Sequence, residues 1–282
     1  MCLKKFPFLI FIFSVVLFSS MFMFAQTSFT EDFSSDPSLN GWSYSGINTG
    51  EVPTDPQLFV WNESQQRLDF TLNAGKSENS VFIKMLNGVV DQNDSFEVSF
   101  KFYLTSLTVD TNDWPFFQMA VGLRNTEIPA GRVWDRGGKS MFDPDDDRIC
   151  IDIVEWNHIP NDPAFMFPTI VTKDEAYHNN YLTPGTALTT GVLYEITHIY
   201  QGGELTLSMT ADGVLITTAD VTTPVTIYVG SGDQFECNAF AVNNYFNRWD
   251  GNSTPDFVAE GWIDDIEFVY TPASADNWQV YE

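Results

Sequence analysis

The feature that most constrains this chain is the recurrence of short runs in which apolar and polar residues alternate. The runs are rich in Val, Ile, Phe, Tyr and Thr, and turn-forming clusters such as Ala211-Asp212-Gly213 separate them. No segment of helical length carries apolar residues at spacings of three and four. Because side chains alternate between the two faces of a sheet, this pattern predicts an all-β chain, folded as a two-sheet antiparallel jelly-roll sandwich. The predicted strands are Leu68–Leu72, Val81–Met85, Phe96–Leu104, Phe116–Leu123, Ile149–Glu155, Tyr194–Tyr200, Leu205–Thr210, Val225–Val229 and Trp262–Tyr270.

The first residues have the order of a secretory signal. Lys4 and Lys5 precede a stretch without charge from Phe6 to Thr30, and the small residue Ala25 stands near its end. We predict a signal peptide over residues 1–25, so that the remainder is secreted, either extracellular or periplasmic. The alternative is an uncleaved anchor, because the apolar run is about long enough to span a bilayer. Residues 26–282 are predicted to form a single domain, with no membrane insertion after signal cleavage.

The charge balance excludes one class of partner and favours another. The formal net charge is −25, and a surface of that sign repels the phosphate backbone of a nucleic acid. Cations are the expected partners instead. Clusters of aspartate such as Asp145-Asp146-Asp147 and Asp264-Asp265 offer the hard oxygen ligands that calcium prefers.

Two cysteines, Cys150 and Cys237, remain after signal removal. In an oxidising compartment they could form a disulfide, but the geometry that a disulfide requires cannot be derived from sequence. A buried thiol that packs as a small apolar residue is the equal alternative.

The two ends of the predicted sandwich resemble the concanavalin A-like lectin and glucanase superfamily, particularly glycoside hydrolase family 16 of the laminarinase type. Phe29-Thr30-Glu31-Asp32-Phe33, followed by Gly41-Trp42, looks like the opening strand of that family, and the run from Trp262 to Tyr270 looks like its closing strand. The resemblance implies that these strands lie side by side. It also implies a structural calcium held by acidic residues, which by position are Asp32 and Asp265.

The segment from Val192 to Thr218 adds a second resemblance, to the laminin-G-like domains of the same superfamily. It reads as a strand, a Gly202-Gly203 turn, a second strand and an Asp212-Gly213 turn.

One predicted strand carries the candidate site. Family 16 active sites lie on a strand of pattern Glu-x-Asp-x-x-Glu, in which the first Glu is the nucleophile, the Asp assists it and the last Glu is the acid/base. Here the positions read Cys150-Ile151-Asp152-Ile153-Val154-Glu155. Asp152 and Glu155 match the pattern, whereas Cys150 stands at the nucleophile position.

The residues of this strand limit the chemistry it can perform. Asp152 and Glu155 are three apart, so they fall on opposite faces of a regular strand; a one-residue bulge at Ile153-Val154 would bring them together. Retaining hydrolysis needs a carboxylate nucleophile about 5 to 5.5 Å from the acid/base, and Cys150 does not provide one. An inverting pair needs about 6.5 to 9.5 Å, which neighbours on one strand rarely reach.

A looser second resemblance concerns the metal loop of legume-type lectins, in which calcium and a transition metal organise the sugar site. Asp152, Asn157 and Asp162-Pro163 have nearly its order, with a step from Asp152 that is one residue too long. This alternative would make His158 a metal neighbour.

Aromatic side chains supply the remaining candidates, since they contact sugar rings through apolar faces. Trp134, Trp156 and Trp249 have polar neighbours in the sequence and are predicted sugar platforms. Arg148 is a predicted contact for sugar hydroxyls or for an acidic group of the glycan. Four other tryptophans are predicted to lie in the core: Trp42, Trp61, Trp114 and Trp262.

Taken together, these features favour a secreted, lectin-like protein that binds a polysaccharide on the concave face of a jelly roll. Its predicted contacts are Cys150, Asp152, Glu155, Trp156, Trp134, Arg148 and Trp249. An active glycoside hydrolase with Glu155 as acid/base and Asp152 as its partner is the first alternative. An adhesive or surface structural protein is the second.

Overall fold

The computed structural model describes residues 28–46, 58–73, 80–108, 116–126, 148–156, 164–171, 177–179, 186–216, 224–229, 234–247 and 258–273. Over these residues the chain forms strands and one short 3-10 turn, η1 at Pro37–Asn40, and no helix among them is long and apolar enough to cross a membrane. The strands are β1 Phe29–Glu31, β2 Trp42–Gly46, β3 Phe59–Asn62, β4 Arg67–Asn73, β5 Ser80–Asp91, β6 Ser95–Thr108, β7 Phe116–Arg124, β8 Arg148–Trp156, β9 Ala164–Val171, β10 Tyr177–Asn179, β11 Thr186–Leu188, β12 Leu193–Gln201, β13 Glu204–Ala211, β14 Val214–Leu215, β15 Val225–Tyr228, β16 Glu236–Asn247 and β17 Val258–Thr271.

The strands form two antiparallel sheets. Sheet I has the order β14-β13-β12-β6-β17-β4-β3, with β1 added on β17 and β15 added on β13. Sheet II has the order β10-β9-β8-β7-β16-β5-β2, with β11 added on β9. This is the predicted all-β, two-sheet jelly-roll sandwich, and each of the nine predicted runs coincides with one of these strands.

Two long strands of sheet II, β16 and β9, were not predicted from the alternation of apolar and polar residues, and the structure shows why. The strand β16 carries a register shift between Cys237 and Ala239, which interrupts the period of two, and it is also rich in asparagine. The strand β9 contains Pro168, and a proline within a run argues against a strand because it cannot donate to the ladder.

The core lies between the sheets, where the alternating residues of each strand meet. In β12 the buried positions are Tyr194, Ile196, His198 and Tyr200, every second residue. Aromatic rings fill much of the space: Phe70 stacks on Phe102 with ring centroids 5.7 Å apart. One cluster of buried apolar residues joins strands of both sheets.

The opening and closing strands pair directly, as the resemblance implies. In the antiparallel pair of β1 and β17, Phe29 lies opposite Phe268 and Glu31 lies opposite Ile266. The Glu31 carboxylate is 2% exposed and accepts hydrogen bonds from the Phe33 backbone N–H at 3.0 Å and from the Asn40 side chain at 3.1 Å. A buried carboxylate with two donors is stabilised in place, so it fixes the turn that leaves β1.

Strand register separates Cys150 from Cys237. Cys150 on β8 lies opposite Gly122 of β7, which lies opposite Ala241 of β16, four residues along that strand from Cys237. Two strand spacings put their backbones at least about 9.6 Å apart, beyond the reach of a disulfide. Cys237 is fully buried in the core cluster, as the alternative to a disulfide predicts.

The most unusual core residue is His198. Its side chain is fully buried on β12, and neither ring nitrogen has a hydrogen-bond partner. The nearest ring is Phe96, whose edge-to-face contact has centroids 6.2 Å apart. Burial lowers the pKa of His198 to about 3, because a charged imidazole would lose its hydration there.

His198 should therefore make folding acid-sensitive. The unfolded chain takes up this proton near pH 6.5, and the folded chain only near the pKa of about 3. The free energy of unfolding attributable to His198 should fall by about 1.4 kcal/mol per pH unit as the pH drops below 6.5. Urea unfolding of wild type and of His198→Leu should give curves that converge or cross as the pH falls. The Tyr200→Phe control should change stability by the same amount at every pH, and a constant difference for His198→Leu would contradict the account.

A second core prediction concerns Gly261 in β17. A Cβ at this position would lie 2.2 Å from the Tyr103 carbonyl oxygen and 2.5 Å from the Phe70 ring. Gly261→Ala must therefore displace a paired strand, and overpacking of this kind costs about 1 to 3 kcal/mol. Thermal unfolding should show a lower melting temperature, whereas Gly213→Ala, whose added Cβ meets nothing within 4 Å, should change it through backbone strain alone. An unchanged melting temperature for Gly261→Ala would show that β17 does not pack as described.

Candidate functional site

The predicted site strand, β8, lies inside sheet II between β7 and β9. Asp152 is opposite Ala120 of β7 and opposite Phe167 of β9. The pairing of β8 with β7 runs without a register shift from Arg148 to Trp156. The bulge at Ile153-Val154 that would bring Asp152 and Glu155 together is therefore absent from this pairing, because the ladder leaves no extra residue there.

Regular pairing has a consequence for the two carboxylates. Position 153 lies opposite the buried core residue Met119, so the odd-numbered positions of β8 share the core-facing side of the sheet. Glu155 has that parity, whereas Cys150 and Asp152 have the opposite one. The strand does not bring Asp152 and Glu155 to one face, which is what an acid/base pair would require. Only the backbone of β8 is described, so the roles assigned to the Cys150, Asp152, Glu155, Trp156 and Arg148 side chains stay predictions.

The outer face of sheet II around Asp152 is built from small residues. Ala120 and Gly122 of β7 lie beside Ala241 and Asn243 of β16, in register with Asp152 and Cys150 of β8. Ala120 and Ala241 are each 1% exposed, and Asn243 is 3% exposed. These residues form a low floor that is itself covered, so a ligand on this face must be met by longer side chains from neighbouring positions. Sequence reasoning missed this floor because the strand β16 was not predicted.

Several predicted site residues lie outside the described part of the chain. They are the platforms Trp134 and Trp249, the aspartate cluster from Asp143 to Asp147, the metal-loop residues Asn157, His158, Asp162 and Pro163, and the predicted core residue Trp114.

Of the other predicted core tryptophans, one is misplaced. Trp42 is buried, and Trp61 packs against the core cluster while its ring N–H donates to the Phe33 carbonyl at 3.0 Å. Trp262 instead lies on the outer face of sheet I, half-buried. There it stacks on Tyr103 with centroids 5.2 Å apart, and the Arg67 guanidinium lies 5.1 Å from its ring centroid. The prediction failed because Trp262 alternates with the core residues Gly261 and Ile263.

The outer face of sheet I also carries a polar groove of about 590 Å³. Six strands contribute to its walls, and hydroxyl and carboxylate side chains predominate among the lining residues. The polar lining residues are Thr30, Glu31, Asp32, Ser99, Lys101, Glu195, Thr197, Ser208, Thr210, Asp265 and Glu267. Both residues predicted to hold calcium, Asp32 and Asp265, therefore border one groove.

Among the described residues that line the groove, Lys101 is the one positively charged side chain, and it lies at the acidic end. The Lys101 ammonium donates to Asp265 at 2.5 Å, and this hydrogen bond raises the pKa of Lys101. The pKa of Asp32 is lowered by its hydrogen bonds from Ser34. The neighbouring residue Asp264 is partly buried, and this burial raises the pKa of its carboxyl group. Asp265 itself adopts a left-handed conformation, with φ 49°, at a register shift of β17.

This end of the groove does not by itself complete a calcium shell. Calcium takes six to eight oxygens, and in the described part of the chain no three His, Cys, Asp or Glu side chains are arranged to hold a metal. Lys101 also already neutralises Asp265. Calcium at Asp32 and Asp265 stays a prediction, and it needs backbone oxygens or water to complete the ligands.

No family model matches this chain, and no curated protein matches it. Its fold does match solved structures. Winged bean acidic lectin, complexed with methyl-α-D-galactose, matches with a TM-score of 0.50 and 11% identity over 87% of this chain and 98% of the lectin. The alginate lyase A1-II′ of polysaccharide lyase family 7 matches with a TM-score of 0.46 and 13% identity over 83% of this chain and 96% of the lyase. A galectin-like protein of unknown function from Bacillus subtilis matches with a TM-score of 0.44 and 7% identity over 88% of this chain and 99% of that protein. The two antiparallel sheets and the match to the winged bean lectin show a concanavalin A-like jelly-roll fold, as the resemblance of the terminal strands implies.

Calcium at the groove can be tested by its effect on stability. A metal bound only by the folded chain raises the melting temperature. We expect about 1 mM calcium, relative to a chelator, to raise the melting temperature of wild type and to raise it less in Asp32→Asn. The matched control is Asp36→Asn, because Asp36 caps η1 away from the groove. Equal melting temperatures with calcium and with the chelator would disprove the calcium prediction.

Proposed function

We propose that the chain is a secreted carbohydrate-binding protein that holds a polysaccharide on the outer face of sheet II, around β8. The proposal places Asp152, Cys150, Arg148 and Trp156 among the contacts, with Trp134 and Trp249 as further predicted ones; Glu155 has the core-facing parity and is not included. Secretion follows from the predicted signal peptide at residues 1–25.

The observation that carries the proposal is the small-residue floor. Ala120, Gly122 and Ala241 have almost no side-chain height, and they are buried, so polar side chains at neighbouring positions rather than the floor itself would meet a ligand. The polar residues Asp152 and Asn243 lie in one row across this floor, on either side of Ala120. Sugar sites combine a concave surface with a few polar groups that fix orientation. The concanavalin A-like fold supports the proposal, since the winged bean lectin that shares it was solved with a bound galactoside.

Charge narrows the ligand class. With a formal net charge of −25, the protein repels polyanions over distances up to the Debye length, about 8 Å at physiological salt. A neutral polysaccharide approaches without that penalty. We therefore expect β-glucan, xylan or mannan to bind in preference to alginate.

Catalysis is not part of the proposal. The regular pairing of β8 gives Asp152 and Glu155 opposite parity, and Cys150 occupies the position at which family 16 enzymes carry their nucleophile. Both facts point away from the hydrolase alternative, because glycoside hydrolysis needs two carboxyl groups flanking one bond.

Binding to immobilised polysaccharides tests the proposal. We expect the protein to be retained by at least one neutral polysaccharide, without release of reducing ends. Asp152→Asn should weaken binding about tenfold or more, the scale of a hydrogen bond to a charged group, and Trp156→Ala should weaken it further. Glu97→Gln is the matched control: it removes one exposed carboxylate from sheet I, away from this face, and should bind normally.

Each alternative has its own outcome in the same experiment. Release of reducing ends that disappears in Glu155→Gln would establish the hydrolase instead. Failure of every polysaccharide to retain the wild-type protein would leave the adhesive or structural alternative. Circular dichroism of each variant confirms that the fold survives.

A further inference from the structure

The groove on sheet I contains a continuous row of polar side chains that crosses neighbouring strands. Ser208 of β13 lies opposite Thr197 of β12, Thr197 lies opposite Ser99 of β6, and Ser99 lies opposite Glu267 of β17. Thr30 of β1 completes the row opposite Glu267. Since adjacent strands are about 4.8 Å apart, the row is about 19 Å long.

The central hydroxyls of this row are unused within the fold. Ser99, Thr197 and Ser208 are half-buried, and in the part of the chain that is described their hydroxyls have no hydrogen-bond partner. By contrast, Thr206 one row away bonds to Thr226 at 2.9 Å, and Thr210 donates to Glu195 at 3.0 Å. A hydroxyl is both donor and acceptor, so the row presents three such groups at regular spacing to whatever enters the groove.

A second row runs parallel to the first and adds charge. Thr210, Glu195, Lys101 and Asp264 lie opposite one another on β13, β12, β6 and β17. Leu215 of β14 lies at the end of this row and is exposed. The two rows together offer acceptors, donors and an apolar contact, which is the mixture that polyhydroxylated ligands require.

We propose that this groove is a second glycan-binding site, which takes a neutral, linear oligosaccharide laid across the strands of sheet I. The chain of the ligand follows the row from Ser208 to Glu267, with its hydroxyls bonded to Ser99, Thr197 and Ser208. The carboxylates of Glu195 and Glu267 accept from further sugar hydroxyls, and Lys101 donates to a ring or hydroxyl oxygen.

Other occupants fit the groove less well. An extended peptide binds by adding a strand to a sheet edge, but here the backbone of β12 and β6 is already paired on both sides. An anionic ligand would meet Glu195, Glu267, Asp32 and Asp265. A cationic ligand would satisfy the carboxylates but leave the three unpartnered hydroxyls without a role.

A second site on sheet I would make the protein bivalent, because the proposed site on sheet II lies on the opposite side of the sandwich. One molecule could then hold two segments of polysaccharide, and two modest affinities would combine into avidity on a polymer. The inference does not depend on the sheet II site, since the two faces share no residue.

Isothermal titration calorimetry with the full mature chain tests the inference. The ligands are neutral hexasaccharides of β-1,3-glucan, β-1,4-glucan, β-1,4-xylan and β-1,4-mannan. Thr197→Val keeps the shape of the side chain and removes one hydroxyl, so it should weaken the sheet I site about fivefold. Ser208→Trp should fill the groove and abolish that site. Thr71→Val is the matched control, an exposed threonine of β4 outside the groove.

The variants separate this inference from the proposed function. Binding to the sheet I groove should be lost in Ser208→Trp and retained in Asp152→Asn, whereas binding to the sheet II site should be retained in Ser208→Trp and weakened about tenfold or more in Asp152→Asn. If both sites exist, Ser208→Trp reduces the stoichiometry from two to one. The inference is overturned if no neutral hexasaccharide binds, if Thr197→Val and Ser208→Trp both bind like wild type, or if spermine binds the groove and the hexasaccharides do not.

Discussion

The fold depends above all on the pairing of β17 with its neighbours. This strand pairs with β6 on one side, and on the other side with β4 and β1 along successive parts of its length, so it joins the opening strand to the centre of sheet I. Gly261 lets β17 approach Tyr103 closely, and a register shift between Asp264 and Glu267 changes its course where Asp265 takes a left-handed conformation. Without this pairing, sheet I would lose its central strand and the polar groove its acidic wall.

Much of this architecture could be predicted because alternation has a direct physical cause. A strand that buries one face needs apolar residues at every second position, and β12 shows that rule from Tyr194 to Tyr200. The same rule failed at β16, where a register shift breaks the period, and at β9, where Pro168 argues against a strand. The core prediction for Trp262 failed for another reason: it did not use alternation, which places Trp262 on the face opposite to Gly261 and Ile263.

The candidate site could be predicted only in part from sequence, because most of it is assembled from separate strands. The motif at Cys150, Asp152 and Glu155 lies in one short segment, so spacing alone could suggest it. Whether that strand contains a bulge depends on its pairing with neighbouring strands, which could not be predicted from sequence. The small-residue floor and the hydroxyl row are assembled from residues far apart in the chain, such as Ala120 with Ala241 and Ser99 with Thr197. Such sets become visible only once register is known.

The central claim is that a neutral glycan binds the outer face of sheet II at β7 and β8. Nuclear magnetic resonance with isotope-labelled protein tests it most directly, because backbone amide shifts report contact residue by residue. On addition of a neutral hexasaccharide, the account predicts saturable shift changes at Ala120, Gly122, Cys150 and Asp152. Saturable changes that leave these four amides unmoved, or no changes at all with any neutral hexasaccharide, would contradict it.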